Sequence, residues 1–258
     1  MLTAMTSAYG DFKHILITGA SSGIGEALAL AYAGPDITLS LCGRDTSRLA
    51  AVAGACRARG AEVDASTLDV ADRVAMAAWI TARDRATALD LVIANAGVSG
   101  GMGETADATR RIFAVNVDGV LNTVLPVIDL FRPRRGGQIA LVSSLASFRG
   151  FGGAPAYGAS KAAIRVWGEG LRCALAKENI GVTVVCPGFV TSRMTDVNKF
   201  PMPFLMSAEK AAETIRQGIA ANRGRVAFPW PMLAAVWLLA LLPDSWAGAI
   251  SGQMPDKD

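Results

Sequence analysis

Short apolar runs alternate with helical patterns along nearly the whole chain, and this alternation restricts the fold more than any other feature. The runs are continuous in Val, Ile, Leu and Ala, which indicates strands covered on both faces, as in parallel sheets. Helices between such strands are typical of doubly wound α/β domains. Predicted strands cover 14–18, 36–42, 62–68, 89–94, 137–143, 182–186 and 226–228. Predicted helices cover 23–33, 46–59, 71–85, 106–131, 155–178 and 207–221. We therefore predict a single α/β domain over residues 1–258, a doubly wound Rossmann-type fold with seven mostly parallel strands and helices on both faces.

The composition fits such a domain and argues against several other classes. A chain of 258 residues buries a large core without a disulfide or a structural metal. The net charge of +3 is small and the basic residues are dispersed, so nucleic-acid binding is not expected. The four cysteines form no C-x-x-C pair, and the single histidine, His14, precedes an apolar run, so we expect no metal site. Without an evident signal peptide, we expect a reduced, cytoplasmic protein.

A Gly/Ser-rich turn joins the first predicted strand to the first predicted helix. It reads Thr-Gly-Ala-Ser-Ser-Gly-Ile-Gly over residues 18–25. Glycines let the backbone approach a phosphate, and a helix N-terminus supplies free N–H groups and the positive end of the helix dipole. The spacing differs by one residue from the usual dinucleotide fingerprint, but the position between strand and helix favours nucleotide binding over a plain turn. In a doubly wound fold, ligands bind at the carboxyl ends of the strands.

Tyr157 and Lys161 lie four residues apart on the predicted helix 155–178, and therefore on one face of it. A nearby ammonium group stabilises a phenolate, so such a pair lets a tyrosine work as an acid or a base near neutral pH. Taken alone, the spacing also fits an ordinary solvated helix face. What distinguishes the two interpretations is the rest of the chain.

Further short motifs accompany the turn and the pair, each at a predicted strand end or in the expected helix. They are Asn95-Ala96-Gly97 after the fourth strand, Asn116 in the long helix, Ser143-Ser144 after the fifth strand and Pro187-Gly188-Phe189-Val190-Thr191 after the sixth. Each motif alone also fits a turn, a cap or a helix-surface residue. Together and in this order, with Ser144 thirteen residues before Tyr157, they make the sequence resemble the classical short-chain dehydrogenases/reductases from the first strand to the loop after the sixth.

The resemblance implies an oxidoreductase that interconverts a carbonyl and a secondary alcohol by hydride transfer to or from a nicotinamide cofactor. Tyr157 would be the general acid or base, and Ser144 would hydrogen-bond the carbonyl oxygen. Lys161 would lower the pKa of Tyr157 and hold the nicotinamide ribose, while Asn116 would anchor a water that links Lys161 to solvent. The cofactor-binding residues implied are Gly19, Ser21, Ser22, Gly23, Ile24, Gly25, Arg44, Asp69, Val70, Asn95, Ala96, Gly97, Tyr157, Lys161, Pro187, Gly188, Val190 and Thr191.

The end of the second strand indicates which dinucleotide is bound. Enzymes that use NAD usually carry an acidic residue there, on the ribose 2′-hydroxyl. This chain has Gly43 followed by Arg44, and a guanidinium suits the 2′-phosphate of NADP. Asp45, one place later, fits a helix cap, and Arg48 would add a second positive charge. The best NADP patterns have a basic residue before the second glycine of the turn, whereas this chain has Ser22 there. We expect NADP to be favoured, with NAD as the alternative.

The substrate is indicated only by its surroundings. Residues 192–222 are expected to form a lid, as in the family, and its first part carries Met194, Phe200, Met202, Phe204, Leu205 and Met206. Methionines adapt to irregular apolar surfaces, which suggests a hydrophobic carbonyl or alcohol. The alternative is that these residues are buried against the body of the domain or against a partner subunit.

The C-terminal extension 226–258 contains an uncharged, strongly apolar run from 226 to 243. Prolines at both ends and the short length favour a buried or interface helix over a membrane span, and peripheral membrane contact is the second option. The resemblance implies a homodimer or homotetramer. Two other functions are possible for such a chain. The first is a dinucleotide-binding sensor or scaffold with little catalysis, and the second is a membrane-peripheral lipid-carbonyl reductase. An intact Ser144, Tyr157 and Lys161 set argues against the sensor.

Overall fold

A parallel sheet of seven strands forms the centre of the molecule. The computed structural model describes residues 10–100, 104–196, 201–243 and 245–246. The strands, all paired in parallel, follow the order β3-β2-β1-β4-β5-β6-β7 across the sheet. Their bounds are β1 His14–Thr18, β2 Thr38–Gly43, β3 Glu62–Thr67, β4 Leu91–Ala94, β5 Gln138–Val142, β6 Gly181–Pro187 and β7 Arg225–Phe228. The predicted fold class is confirmed, and the sheet is parallel throughout.

Helices cover both faces of this sheet. Their bounds are α1 Gly23–Tyr32, α2 Thr46–Arg57, α3 Arg73–Ala86, α4 Ala106–Phe113, α5 Gly119–Arg134, α6 Pro155–Leu175, α7 Arg193–Asp196, α8 Ala208–Ala220 and α9 Trp230–Leu241. Successive residues of each strand point to opposite faces, so Ile15 and Ile17 pack with α1, α2 and α8 while Leu16 packs with α3, α5 and α6. One apolar core therefore lies on each side of the sheet, as a doubly wound domain requires.

The strand order reverses between β1 and β4. β1 pairs with β2 on one side and with β4 on the other, for example Thr18 with Cys42 and Ile17 with Ile93. The loops that leave the carboxyl ends of these strands separate towards opposite faces of the sheet and open a crevice between them. The Gly/Ser-rich turn and the 95–97 motif both leave strands at this point.

The long helix predicted at 106–131 is divided by one π-helical turn, Ala114–Asp118, which connects α4 to α5. Asn116 lies in this turn and is buried, with its side chain held by groups outside the helix. Such turns are frequent at functional sites. The apolar periodicity continues through the turn, so the sequence pattern does not reveal it.

The predicted lid is shorter in the structure than 192–222. Ala211, Ile215 and Ile219 of α8 are fully buried in the core that α1 shares. α8 is therefore one of the covering helices of the sheet, and the predicted lid is limited to residues before Ser207. Residues 197–200, including the predicted lid residue Phe200, lie outside the described residues.

The predicted C-terminal extension also begins later than residue 226. Val226 and Phe228 are buried in the edge strand β7, so the segment outside the sheet starts at Pro229. α9 then covers the end of this strand. With 12 residues it is shorter than the roughly 20 that cross a bilayer. Among the described helices, only the run Ala106–Arg134 is long and apolar enough to do so, and half of its apolar stretch is buried in the domain.

Candidate active site

One cavity of about 1200 Å³ opens at the carboxyl ends of the strands. It is lined by all but three of the predicted site residues. Those lining it are Gly19, Ser21, Ser22, Gly23, Ile24, Arg44, Asp69, Val70, Asn95, Ala96, Gly97, Ser144, Tyr157, Lys161, Pro187, Gly188 and Val190. The three outside it are Gly25, Asn116 and Thr191. The fold thus brings together motifs that are up to about 170 residues apart in sequence, from Gly19 to Gly188.

The Gly/Ser-rich turn has the backbone geometry of a phosphate cradle. Gly19 and Gly23 have positive φ values of 68° and 58°, which side chains rarely adopt. A Cβ atom at Gly19 would lie 2.8 Å from the Cα of Ala96, and one at Gly25 would collide with the Gly19 carbonyl. Ser22, at the N-cap of α1, makes no side-chain capping bond. The first N–H groups of α1 therefore remain for an anionic ligand.

Asn95 and Thr18 fix the distance between the two sides of the crevice. The Asn95 side chain donates to the carbonyl of Thr18 at 2.9 Å, and the Thr18 hydroxyl accepts from the backbone N–H of Asn95 and of Ala96 at 3.1 Å each. Gly25 packs directly against the Asn95 amide, so its role is to let α1 approach rather than to line the cavity. This arrangement makes the cradle a rigid part of the sheet.

The end of β2 carries the residues from which we predicted a preference for NADP. A Cβ atom at Gly43 would lie 3.0 Å from the Ser21 hydroxyl, so this position has little room for a side chain. Asp45 caps α2 by accepting from the N–H of Arg48 at 2.9 Å, as predicted, and also pairs with the Arg48 guanidinium at 3.1 Å. These hydrogen bonds lower the pKa of Asp45. Arg44 is exposed at the rim of the cavity, and so its positive charge is available to a ligand.

Asp69, one of the predicted cofactor-binding residues, is held in place by two partners. One carboxylate oxygen accepts from the N–H of Ala71 at 3.0 Å, and the other pairs with Arg111 of α4 at 2.7 Å. Burial raises the pKa of Asp69, but these two hydrogen bonds outweigh it and the net shift is downward. Asp69 is thus an oriented carboxylate at the cavity wall. Arg111 was not predicted, because nothing in its spacing connects it to residue 69.

Tyr157 and Ser144 face each other across the cavity. Tyr157 lies in the first turn of α6, and Ser144 follows β5 and caps a short 3₁₀ turn, Leu145–Ser147, by accepting from the N–H of Ala146 at 3.1 Å. Burial raises the pKa of Tyr157, and a hydrogen bond between its side chain and that of Ser144 opposes the increase. The phenol is therefore protonated at neutral pH and hydrogen-bonded to the serine.

Lys161 lies one turn of α6 beyond Tyr157 and is buried. Its Nζ donates to the carbonyl of Val142 at 2.9 Å and lies 5.9 Å from the centre of the Tyr157 ring. Burial lowers the pKa of Lys161 to about 8. Burial is thus the main cause of both shifts, upward for Tyr157 and downward for Lys161. That Lys161 lowers the pKa of Tyr157 stays a prediction.

Asn116 lies behind Lys161 and organises the wall of the cavity. Its amide forms two hydrogen bonds with the backbone of Val98, at 2.8 and 2.9 Å, and donates to the hydroxyl of Ser160 at 3.0 Å. Ser160 in turn donates to the carbonyl of Tyr157 at 2.8 Å. The π-helical turn is therefore tied to the first turns of α6, which carry Tyr157.

Glu104 is a residue of this site that sequence reasoning missed. Its carboxylate accepts from the N–H of Ala156 at 2.7 Å and from the N–H of Tyr157 at 3.2 Å. Ala154, at the N-cap of α6, makes no side-chain capping bond, so Glu104 provides the cap from a distant loop. A carboxylate at a helix N-terminus also suits the helix dipole. The 52-residue separation hides this contact in the sequence.

Apolar side chains form the part of the cavity beyond Tyr157. Met194, Pro201, Pro203 and Phe204 of the lid region line it together with Phe151 and Phe189. Met206 instead packs on the core, where its backbone pairs with Phe189 and with Thr191. Thr191 is not among the residues that line the cavity. The predicted lid thus divides, with some residues at the cavity and others against the body of the domain.

The C-terminal helix α9 also lines this apolar part, which the sequence did not reveal. Pro231, Met232, Ala235 and Val236 face the cavity. The Met232 sulfur would lie 3.0 Å from a Cβ atom at Gly188, and Met232 and Val236 pack with Leu145 next to Ser144. α9 therefore contacts both the loop after β6, which carries predicted cofactor-binding residues, and the short turn that follows Ser144.

Comparison with known proteins agrees with this geometry. The short chain dehydrogenase family model matches residues 13–200. An uncharacterized oxidoreductase of Myxococcus xanthus is 38% identical over 238 residues, which cover 91% of this chain and 94% of the relative. The chain belongs to the short-chain dehydrogenase family. This dehydrogenase is also similar to the ketoacyl reductase HetN of a Nostoc species, with 31% identity over 72% of this chain and 66% of HetN.

Solved structures of short-chain dehydrogenases are similar over nearly the full length of this one. A member from Burkholderia phymatum in complex with NAD has a TM-score of 0.83 and 25% identity, covering 98% of this chain and 99% of its own. A member from Sphingobium yanoikuyae in complex with NADPH has a TM-score of 0.79 and 27% identity, covering 94% and 95%. This dehydrogenase is an oxidoreductase with a nicotinamide dinucleotide site, and the neighbours bind either form of the cofactor.

Proposed function

We propose that this short-chain dehydrogenase uses NADPH to reduce a ketone that carries a bulky apolar group, with Tyr157 as the proton donor. The observation that carries the proposal is the composition of the cavity. Its polar half contains the phosphate cradle, Arg44 and the hydrogen-bonded Tyr157 and Ser144, and its other half is walled by apolar side chains of the lid and α9.

The residues present fit a nicotinamide dinucleotide, which when bound supplies the hydride. The N–H groups at the start of α1 would hold the pyrophosphate, and Asp69 would receive the adenine. Arg44 would pair with a 2′-phosphate, because Asp45 is already engaged by Arg48 and by the cap of α2. A carboxylate in place of Gly43 would meet Ser21, which further separates this site from the usual NAD pattern.

Tyr157 would donate its proton to the substrate oxygen, and Ser144 would stabilise the developing charge on that oxygen by a hydrogen bond. Burial keeps the phenol protonated at neutral pH, and the nearby positive charge of Lys161 would make it the stronger acid that proton donation requires. Lys161 would stabilise the phenolate that remains and would hold the nicotinamide ribose. Asn116 and Glu104 act on the position of Tyr157 through Ser160 and through the first turn of α6.

The apolar half of the cavity favours a substrate with an extended hydrocarbon or multi-ring group next to the carbonyl. Proline, methionine and phenylalanine side chains of the lid and the inner face of α9 offer few hydrogen-bond partners to a polar substrate. Methionines such as Met194 and Met232 adapt to irregular shapes. Small sugars would leave this surface in contact with water.

We also propose that two copies associate through α4, α5 and α6. Phe113, Leu125 and Val166 on these helices are between 39% and 58% exposed in the single chain. Apolar side chains of this size on neighbouring helices are typical of a subunit interface. Light scattering on the purified chain would give a mass of two or four copies, and a monomer would contradict the assignment.

The function is tested by following NADPH and NADH oxidation with a panel of aliphatic, steroid and aromatic ketones. We expect turnover with NADPH on at least one bulky apolar ketone, and little turnover in the Tyr157→Phe variant. Activity with NADH in preference to NADPH would contradict the cofactor assignment. Activity on small polar sugars alone would contradict the substrate assignment.

A further inference from the structure

We propose that the mouth of the cavity docks on the surface of a lipid bilayer, so that apolar ketones enter the active site directly from the lipid. This inference rests on the proposed function, since it assumes a substrate that dissolves in membranes. We call the docking surface the mouth patch. It consists of Trp230, Trp237, Leu238 and Leu241 on α9, with Met194, Phe204 and Leu205 of the lid region.

The mouth patch exposes an unusual amount of apolar surface. The exposed fraction is 77% for Trp230, 54% for Trp237, 60% for Leu238, 64% for Leu241 and 59% for Phe204. No charged residue occurs between 226 and 243, so nothing on α9 keeps this face in water. Single exposed apolar residues are common, but a contiguous group marks an interaction site.

The patch adjoins the opening of the cavity. On α9, Trp230, Trp237 and Leu241 recur at intervals of seven and four residues and share one face. Pro231 and Ala235 lie on the neighbouring face and line the cavity, and Ala235 is exposed as well. Met194 and Phe204 also line the cavity while remaining exposed. A ligand that leaves the apolar half of the cavity therefore passes over the patch.

A bilayer accounts for this surface better than a second copy of the chain. A helix of 12 residues is about 18 Å long, and one face of it buries much less than the roughly 1,200 Å² of a stable protein interface. A protein seated on the patch would also close the cavity. Tryptophan is enriched where proteins meet lipid headgroups, because its ring is apolar and its N–H is polar.

The rest of the chain suits peripheral attachment to an anionic bilayer. The underside of α9 packs on the domain through Met232, Leu233 and Val236. Its outer face is exposed among the described residues, which suits a helix that lies in the headgroup region. The small net charge of +3 does not oppose binding to membranes that contain anionic lipids, and the apolar face of α9 supplies the main attraction.

The test is flotation of the full chain with vesicles of phosphatidylcholine and phosphatidylglycerol, compared with vesicles of phosphatidylcholine alone. The variant carries Trp237→Glu and Leu238→Glu, and the matched control is Val74→Glu on α3, where the valine is 74% exposed. We expect the wild type and the control to float with the mixed vesicles. The fraction of the double variant bound should fall at least about tenfold, since immersing one large apolar side chain changes an equilibrium by about that factor.

Either of two results would overturn the proposal. The wild type could stay in the aqueous fraction with both kinds of vesicle, or the double variant could bind as the wild type does. Light scattering on the same samples shows whether the double variant dissociates an oligomer, which would place a second copy on the patch instead. Turnover of the best ketone from the panel separates the two claims. If the wild type reduces it but does not bind vesicles, only the docking is wrong.

Discussion

The polar half and the apolar half of the cavity are built in different ways, and we call them the cofactor half and the substrate half after the roles that we propose for them. The cofactor half consists of backbone at the carboxyl ends of β1, β2, β4 and β6, held by short-range geometry such as the positive φ of Gly19 and the Asn95–Thr18 hydrogen bonds. The substrate half consists of apolar side chains from α9 and the lid, which reach the cavity only through tertiary packing. The first half constrains which residues can occupy it, and the second tolerates any apolar residue of suitable size.

The difference implies that single substitutions act differently in the two halves. In the polar half, one removed group leaves a charge or a hydrogen bond without a partner, and the cost is large. In the apolar half, a change of volume shifts which substrate fits, and the cost depends on the substrate.

The largest effect is expected for Tyr157→Phe. Loss of a general acid costs about 10²- to 10⁴-fold in kcat. The fold and the cofactor affinity should be unchanged, because the phenylalanine keeps the ring in place. Steady-state rates together with a cofactor titration by fluorescence measure both quantities. Near-normal turnover of this variant would remove Tyr157 from the mechanism.

Arg44→Ala tests the cofactor half. Loss of a charge-assisted hydrogen bond to a phosphate should lower kcat/KM for NADPH by about 10- to 100-fold. The value for NADH should stay within about twofold, since there is no 2′-phosphate to lose. Arg57→Ala is the matched control, because Arg57 lies on α2 and is not among the residues that line the cavity. Equal losses for both cofactors would mean that Arg44 does not read the phosphate.

Ala235→Phe tests the substrate half. The larger side chain would enter the apolar part of the cavity, where overpacking costs about 1–3 kcal/mol, or roughly tenfold in kcat/KM for a bulky ketone. A small ketone should be turned over as by the wild type. Leu238→Phe, on the outer face of α9, is the control. If Ala235→Phe and Leu238→Phe both change kcat/KM equally for bulky and small ketones, α9 does not form a wall of the substrate site.

Glu104→Ala tests whether the cap of α6 positions Tyr157. Removal of an N-cap costs about 0.5–2 kcal/mol, which should appear as a roughly two- to thirtyfold lower kcat if the first turn of α6 loosens. Cofactor affinity should be unchanged. Glu104→Gln keeps an acceptor oxygen and should recover part of the rate, which a merely destabilised fold would not show. A normal kcat for the alanine variant would make the cap structural only.

A further effect is expected in the stability of the fold, not in the rate, and it depends on pH. Burial lowers the pKa of Lys161 to about 8 in the folded chain, whereas an unfolded lysine titrates near about 10.4. The unfolded chain therefore binds more protons between these values, and stability should rise with pH by up to about 1.4 kcal/mol per pH unit in that window.

The Lys161→Met variant isolates this contribution, because it lacks the titrating group. Urea unfolding at pH 7, 8, 9 and 10 should show that the wild type gains on the variant only above pH 8. A constant difference would mean that Lys161 keeps its ordinary pKa in the fold.

The fold and the cofactor half could be predicted because they depend on local patterns. Continuous apolar runs specify buried parallel strands, and the turn at 18–25 needs glycines whatever the substrate. The site residues Ser144, Tyr157 and Lys161 are recognisable because their spacing on a strand end and a helix is fixed by the fold. Their placement around one cavity agrees with that expectation, and their roles stay predictions.

The remaining features depend on long-range contacts that leave no pattern in a single sequence. Glu104 reaches Tyr157 across 53 positions, and Arg111 reaches Asp69 across 42. The π-helical turn does not interrupt the apolar periodicity of its helix. The apolar face of α8 packs in the core, which limits the predicted lid to residues before Ser207, whereas apolar residues of α9 line the cavity. Apolar periodicity is the same in both cases, so it does not distinguish a core helix from a cavity wall.

The central claim is tested most directly by kcat/KM with NADPH for a homologous series of 2-alkanones, compared with dihydroxyacetone. If the cavity joins a proton-donating centre to an apolar chamber, kcat/KM should rise with chain length and exceed the value for dihydroxyacetone throughout. A preference for dihydroxyacetone, or no dependence on chain length, would contradict the account.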